Sequence, residues 1–362
     1  MKRLKVGLNG FGRIGRAITR IAMDRDAFDL VLVNTRKTPN ELMAYLLQYD
    51  SIYRKYSREV KATRDGLLVG DKLVRTTLNA DASAIPWDEH EVDVVIDATG
   101  AYLKYEDLHH HFDFHSESHE NKEGVAHDHD TIAQHHVKGT VKKVVLTAPA
   151  KDDTIPHIVL GVNDNTFDFT GSKIISNASC TTNCAAPMFK VLHDAFGVTS
   201  GYLTTAHAYT STQSLLDDAN KSIDRSRAAA INMSPSTTGA ATAVVKVIPE
   251  LTGKLDGMSL RIPVPIVSFT DVSAVVSRKV TVQEVNEAFR LAAEGPMKGY
   301  LVYETQALVS SDYIGSSASC TFDANYTKVI GGTLVKVFGW YDNEWGYSCR
   351  IVDLVEKIGK ML

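Results

Sequence analysis

Two stretches of the chain carry side chains able to do covalent chemistry. Ser176-Asn177-Ala178-Ser179-Cys180-Thr181-Thr182-Asn183-Cys184 sits at a predicted strand-to-helix junction. A thiol at a helix N-terminus has its pKa lowered, which places Cys180 as a candidate thiolate nucleophile. A buried, inert cysteine is the alternative. Cys184 lies one turn on, shares that helix face and reads as packed. A nucleophilic cysteine needs a base that is remote in sequence. His207, in Thr204-Thr205-Ala206-His207-Ala208-Tyr209-Thr210, ends a predicted strand among hydroxyl residues and is the candidate.

A third stretch, Asn9-Gly10-Phe11-Gly12-Arg13-Ile14-Gly15-Arg16, spells G-x-G-x-x-G between a predicted strand and a predicted helix. Gly10 permits the tight turn, Gly12 lets backbone approach a pyrophosphate, and Gly15 allows close helix–strand packing. The helix start then offers N–H groups and the positive end of its dipole to phosphates. A purely structural glycine turn is the alternative. The acidic residue that grips an NAD ribose belongs at the end of the second strand. That strand ends Val33-Asn34-Thr35-Arg36-Lys37, with no acid. A hydroxyl and two cations suit the 2′-phosphate of NADP, which is favoured over NAD; solvated loop charges are the other reading.

The elements that position these groups follow from periodicity. Residues 4–8, 30–33, 92–97, 144–148 and 158–162 read as short strands, and 13–23 and 39–49 as helices. Strands alternating with helices imply a parallel, doubly wound sheet. After about Ser176 come a helix over 181–196 and long β-rich runs at 200–208, 266–280, 299–309 and 333–340. These read as a mostly antiparallel sheet, interrupted by a helix over 281–293 whose Thr281 and Glu284 are spaced as a capping box. Residues 345–361 are helical again. The expected fold class is α/β: a Rossmann sheet plus a second α+β catalytic domain. The expected boundaries are 1–178 for the nucleotide domain, 179–341 for the catalytic domain, and 342–362 for a helix returning to the first.

Composition bounds the class. A chain of 362 residues suggests two domains. With 44% hydrophobic and 23% charged residues it reads as soluble and globular. A net charge of −4 advertises neither nucleic acid nor an anionic membrane, and no apolar run is long enough to span a bilayer. The charged start runs into a strand-like stretch rather than a signal-peptide core. Four cysteines make no disulfide framework, so reducing cytoplasm is the expected compartment.

The chain resembles the phosphorylating glyceraldehyde-3-phosphate dehydrogenase family. The match runs through NGFGRIGR at 9–16, ASCTTNC at 178–184, the His207 strand, Arg227-Ala228-Ala229-Ala230, Ser236-Thr237-Thr238-Gly239-Ala240-Ala241, and Trp340-Tyr341-Asp342-Asn343-Glu344 with Tyr347. It covers essentially everything but residues 108–132. The resemblance implies that Cys180 attacks the aldehyde, with His207 as base, and that phosphate then cleaves a thioester. It implies substrate-phosphate contacts from Thr210 and Arg261. The attacking phosphate would use Ser179, Thr181, Thr238 and Gly239, with Arg227 supporting. By the same resemblance Arg13 and Ile14 line the pyrophosphate, Thr99 and Thr147 the adenosine side, and Asn343 the carboxamide. Homotetramers are implied, with residues of about 208–230 reaching a neighbour's cofactor.

Several departures bear on function. Thr35 replaces the Asp of NAD-using members, and Asp218-Ala219 replaces a usual Leu-Pro. Thr212 and Ser214 replace an Asp and an Arg after the histidine, leaving erythrose-4-phosphate dehydrogenase as an alternative substrate assignment. A metal-binding or structural protein that kept the fold is the non-enzymatic alternative. Nine of the 13 histidines fall between His109 and His136, inside an enlarged connection. His111, His115 and His119 would stack on one helix face as Zn²⁺ or Ni²⁺ ligands. A solvated excursion is the favoured reading, with no metal site assigned.

Overall fold

The computed structural model describes residues 3–112, 139–220 and 222–362. Two eight-stranded sheets organise it. In the first, strands Ile174–Ser176, Lys143–Leu146, Val94–Asp97, Lys5–Asn9, Asp29–Asn34 and Lys72–Thr77 lie side by side in that order, all parallel. Gly66–Val69 and Val60–Thr63 extend the edge antiparallel. The chain moves outward from Lys5–Asn9 in one direction, then returns to its other flank with Val94–Asp97. That reversal opens a crevice at the strand ends, the place where doubly wound sheets bind ligands.

The helix Arg13–Arg25 leaves the first strand through the glycine turn. Gly10 has φ +99, and a Cβ there would sit 2.8 Å from the Ala98 backbone. Only glycine serves at such a close approach. The C-terminal helix Trp345–Gly359 packs beside Arg13–Arg25; its Cys349, Ile351, Val352 and Val355 join one buried cluster with Val6, Leu8 and Ile18.

The second sheet runs Ser234–Thr237, Leu255–Ile262, Val198–Ala208, Ser268–Val276, Leu334–Tyr341, Cys320–Asp323, Leu301–Glu304, and Lys328–Ile330 also pairs with Leu334–Tyr341. Most pairings are antiparallel, but Val198–Ala208 with Leu255–Ile262 and Leu301–Glu304 with Cys320–Asp323 are parallel, so the sheet is mixed. Helix Cys180–Phe196 crosses one face. Gly339 lets it approach: a Cβ there would stand 2.6 Å from Cys320 Sγ and 2.9 Å from Met188 Sδ. The capping box of Thr281 and Glu284 starts helix Val282–Glu294.

Two expected strands differ. Residues 158–162 form turns, because Asn163 Oδ1 takes the Val159 N–H at 2.9 Å and Asp164 Oδ1 takes the Gly161 N–H at 2.7 Å. Such local acceptors compete directly with a ladder. The run at 299–309 shortens to Leu301–Glu304, where Glu304 Oε1 accepts from the Thr305 and Gln306 amides. The short strands between Arg54 and Thr77 carry no strong alternation and were not expected.

The expected histidine helix stops at His109. His111 is buried, with Nε2 3.1 Å from Asp97 Oδ2 and Nδ1 3.3 Å from Trp87 Nε1. Both ring nitrogens are engaged, so His111 is not open to a metal as the stacked-histidine reading required. His115 and His119 lie outside the described residues. Among the described residues, no cluster of three or more His, Cys, Asp or Glu could hold a metal, and no helix is long and apolar enough to cross a membrane.

Candidate active site

Cys180 opens its helix two residues after a strained one. Ser179 is the N-cap, its hydroxyl accepting the Thr182 amide at 3.0 Å. The helix thus starts one residue before the Thr181 start that the periodicity predicts. Ala178 holds φ +54 although it is not glycine. Its amide bonds to Ser176 Oγ and its carbonyl accepts the Tyr347 hydroxyl, which together hold the unfavourable conformation. The result is a sharp turn with Cys180 at its apex.

His207 arrives from strand Val198–Ala208, and its Nε2 lies 3.4 Å from Cys180 Sγ. Arg261 is its register partner on Leu255–Ile262. Arg261 Nη1 stands 2.7 Å from His207 Nδ1 and 3.2 Å from the Ala208 carbonyl, which is itself 2.7 Å from Nδ1. Arg261 forms no ion pair among the described residues, and its Nε is buried without a partner. An unpaired buried guanidinium beside a nucleophile calls for an anion.

Burial pushes the Cys180 thiol up to about 11, with Arg261 and the Thr181 amide pulling the other way. Burial, then Arg261, pushes His207 down to about 3. Both directions favour the neutral thiol and neutral imidazole, against the lowered thiol pKa that a helix N-terminus predicts.

These groups face a cavity of about 770 Å³. Gly12, Arg13, Ile14, Thr99 and Thr147 form one end; Ser179, Cys180, His207, Thr210, Arg261 and Asn343 form the other. The structure thus unites most of the expected residues across the two sheets. Asn343 is oriented by Ser268 Oγ, which donates to its Oδ1 at 2.9 Å. Thr210 Oγ1 pairs with Thr212 Oγ1 at 2.8 Å.

Other expected residues have their polar groups engaged elsewhere or lie outside the cavity. Arg13 spends its guanidinium on Glu344, through Nε at 2.7 Å, and on Asp50, through Nη1 at 3.0 Å. Contact with phosphate would therefore come from its backbone. Asn9 uses both ends of its amide internally, donating to Asp97 and accepting from Asn34. Thr35 is buried, its Oγ1 taking the Thr38 amide, while Arg36 is exposed. Thr181 lies behind Cys180 with its hydroxyl on Tyr341. Arg227 pairs with Asp217 on the surface, and neither it nor Thr238 and Gly239 line the cavity.

Sequence reasoning missed Asp50 and the part Glu344 plays in holding Arg13. Only the fold brings Asp50 to the glycine turn; Glu344 was visible as the end of WYDNE, without a role. The residues present fit a nicotinamide dinucleotide: helix Arg13–Arg25 has no side-chain cap and no acid in its first turn, and nothing lies within 4 Å of a Cβ placed on Gly12.

A dinucleotide-type crevice facing a cysteine–histidine pair across a second sheet defines a two-domain oxidoreductase. The family models agree: residues 4–105 match the glyceraldehyde 3-phosphate dehydrogenase NAD binding domain and 179–343 its C-terminal domain. The chain is 46% identical to glyceraldehyde-3-phosphate dehydrogenase 2 of Streptomyces avermitilis over 360 residues, covering 99% of each chain. It is 45% identical to glyceraldehyde-3-phosphate dehydrogenase of Geobacillus stearothermophilus, covering 98% of each. The chain belongs to the glyceraldehyde-3-phosphate dehydrogenase family.

Proposed function

We propose that this enzyme oxidises glyceraldehyde 3-phosphate with inorganic phosphate, or runs the reverse reaction, through a thioester on Cys180. The observation that carries the reading is the Cys180–His207–Arg261 alignment on the wall shared with the glycine turn. His207 Nε2 accepts the thiol proton as Cys180 Sγ adds to the aldehyde carbon. It passes that proton to the former carbonyl oxygen, giving the hemithioacetal hydroxyl, and takes it back as the carbon is oxidised. The bound nicotinamide supplies the two-electron acceptor for that oxidation. A phosphate oxygen attacks the thioester carbonyl, the C–S bond breaks, and Cys180 leaves as thiolate with an acyl phosphate as product.

Arg261 and Thr210 hold the substrate phosphate, and Ser179, which lines the cavity beside Cys180, is the nearer candidate for the second phosphate, the Thr181 hydroxyl being taken by Tyr341. Thr238, Gly239 and Arg227, which do not line the cavity, have this role only from the resemblance. Asn343 orients the carboxamide. The dinucleotide is NADP, or either form: no carboxylate lies at positions 35–38, and Arg36 and Lys37 are exposed there. The buried Thr35 hydroxyl acts by omission of charge rather than by contact.

The enzyme works as a cytoplasmic homotetramer. Leu215, Leu216, Ile223, Ile231 and Met233 are 69–90% exposed in one chain, a loop surface suited to burial against neighbours. Initial rates with glyceraldehyde 3-phosphate, phosphate and NADP⁺ or NAD⁺ test the reading. A kcat/KM advantage for NADP⁺ supports the cofactor assignment, and an advantage for NAD⁺ overturns it. Turnover of erythrose 4-phosphate alone overturns the substrate assignment.

A further inference from the structure

Behind the crevice lies a buried polar chain that the proposed chemistry does not touch. It converges on Asp97, which is fully buried at the end of strand Val94–Asp97. Four donors meet its carboxylate. The Thr99 amide and hydroxyl reach Oδ1 at 3.1 and 2.7 Å. Asn9 Nδ2 and His111 Nε2 reach Oδ2 at 2.9 and 3.1 Å. Asn34 Nδ2 donates in turn to Asn9 Oδ1 at 2.8 Å.

The direction of the His111 bond is set from its far side. The Trp87 indole N–H can only donate, so His111 Nδ1 is its acceptor and the ring proton sits on Nε2, aimed at Asp97. Asn9, Asn34, Asp97 and His111 are each no more than 4% exposed, so their bonds are not shared with solvent. A satisfied buried network of this kind holds its members rigidly, and an unsatisfied one is costly.

The members stand at the ends of strands Lys5–Asn9, Asp29–Asn34 and Val94–Asp97, around the topological switch. Gly10 leans on the Ala98–Thr99 backbone with no room for a Cβ, so a shift of the Thr99 turn is passed to the glycine loop by contact. Thr99 itself lines the cavity. We infer that His111 is a positioning residue for the dinucleotide: through Asp97 it sets Thr99, Asn9 and the glycine loop in their binding geometry before the cofactor arrives. Preorganisation of this sort lowers the ordering cost of binding. The inference rests on the crevice being the dinucleotide site.

The test compares His111→Leu, which removes both bonds, with His111→Gln, whose amide can donate to Asp97 and accept from Trp87. Dissociation constants for NAD⁺ and NADP⁺ are measured by calorimetry on the full chain. Alkylation of Cys180 by iodoacetamide without dinucleotide reports the second sheet independently. His111→Leu is expected to weaken both dinucleotides about tenfold, the scale of one lost buried hydrogen bond, with alkylation within about twofold of the parent. His111→Gln is expected to recover most of the affinity. Unchanged affinity in His111→Leu, a Gln variant no better than Leu, or alkylation falling in parallel each overturns it. If His111→Leu does not fold, Trp87→Phe keeps a buried aromatic ring while removing the indole donor to His111. Weakened dinucleotide binding in that variant supports the inference; unchanged binding overturns it. A parent that binds neither dinucleotide would instead defeat the cofactor reading of the previous section.

Discussion

Arg261 and His207 are register partners on adjacent parallel strands, and their side chains meet at 2.7 Å with the histidine's other nitrogen on the Cys180 sulfur. The cation therefore sits one ring away from the nucleophile and has no carboxylate partner of its own among the described residues. An anionic substrate group can complete it. Arg261→Gln is expected to raise KM for glyceraldehyde 3-phosphate about 10- to 100-fold, the range for a charged hydrogen bond. Turnover of unphosphorylated glyceraldehyde should change far less. Steady-state kinetics on both aldehydes decides; equal losses would show that Arg261 does not read the phosphate.

The base is separable from the nucleophile. His207→Asn should lower kcat by about 10²- to 10⁴-fold, the usual contribution of a positioned general base. Dinucleotide affinity should be retained, because His207 stands on the second sheet. A single-turnover measurement of reduced nicotinamide formation checks this step without interference from product release.

Thr35 is the side chain on which the proposed cofactor preference rests. Thr35→Asp places a carboxylate at the end of strand Asp29–Asn34, where it can accept from a ribose hydroxyl and repel a 2′-phosphate. The kcat/KM ratio of NADP⁺ to NAD⁺ is expected to fall by about tenfold or more, equivalent to about 1.4 kcal/mol. An unchanged ratio would assign selectivity to another element.

Acid should destabilise the fold through a buried histidine. Burial, helped by Lys246, holds His157 down to about 4 against an ordinary value of 6.5. The folded chain thus binds fewer protons than the unfolded chain between those values, and stability falls as pH drops through that window. The stabilisation from the neutral ring is complete above 6.5 and is lost as pH approaches 4. The loss amounts to at most about 3 kcal/mol. Urea midpoints from pH 7 to 4.5 should fall less steeply in His157→Gln than in the parent.

Much of this site was legible because its signals are local. Gly10, Gly12 and Gly15 follow a strand and open a helix, and Cys180 begins a capped one; each pattern lies within a few residues. The base was legible only as a pairing, since 27 positions separate His207 from Cys180. What the sequence did not disclose depends on remote partners. Arg13 reads as a phosphate ligand until Glu344 and Asp50 arrive from distant elements to occupy it. His111 reads as one of a polar histidine run, yet Trp87 and Asp97 draw it into the core. Residues 158–162 have the apolar content of a strand, but the Asn163 and Asp164 side chains capture the amides a ladder needs.

Oxidation through a covalent bond to Cys180 can be caught by mixing the enzyme with glyceraldehyde 3-phosphate and dinucleotide while phosphate is withheld. A burst of reduced nicotinamide of about one per chain is expected, with an acyl adduct on Cys180 by mass and steady turnover once phosphate is added. In Cys180→Ser both burst and adduct should vanish. A burst that survives the substitution, or turnover without any adduct on Cys180, would contradict the mechanism.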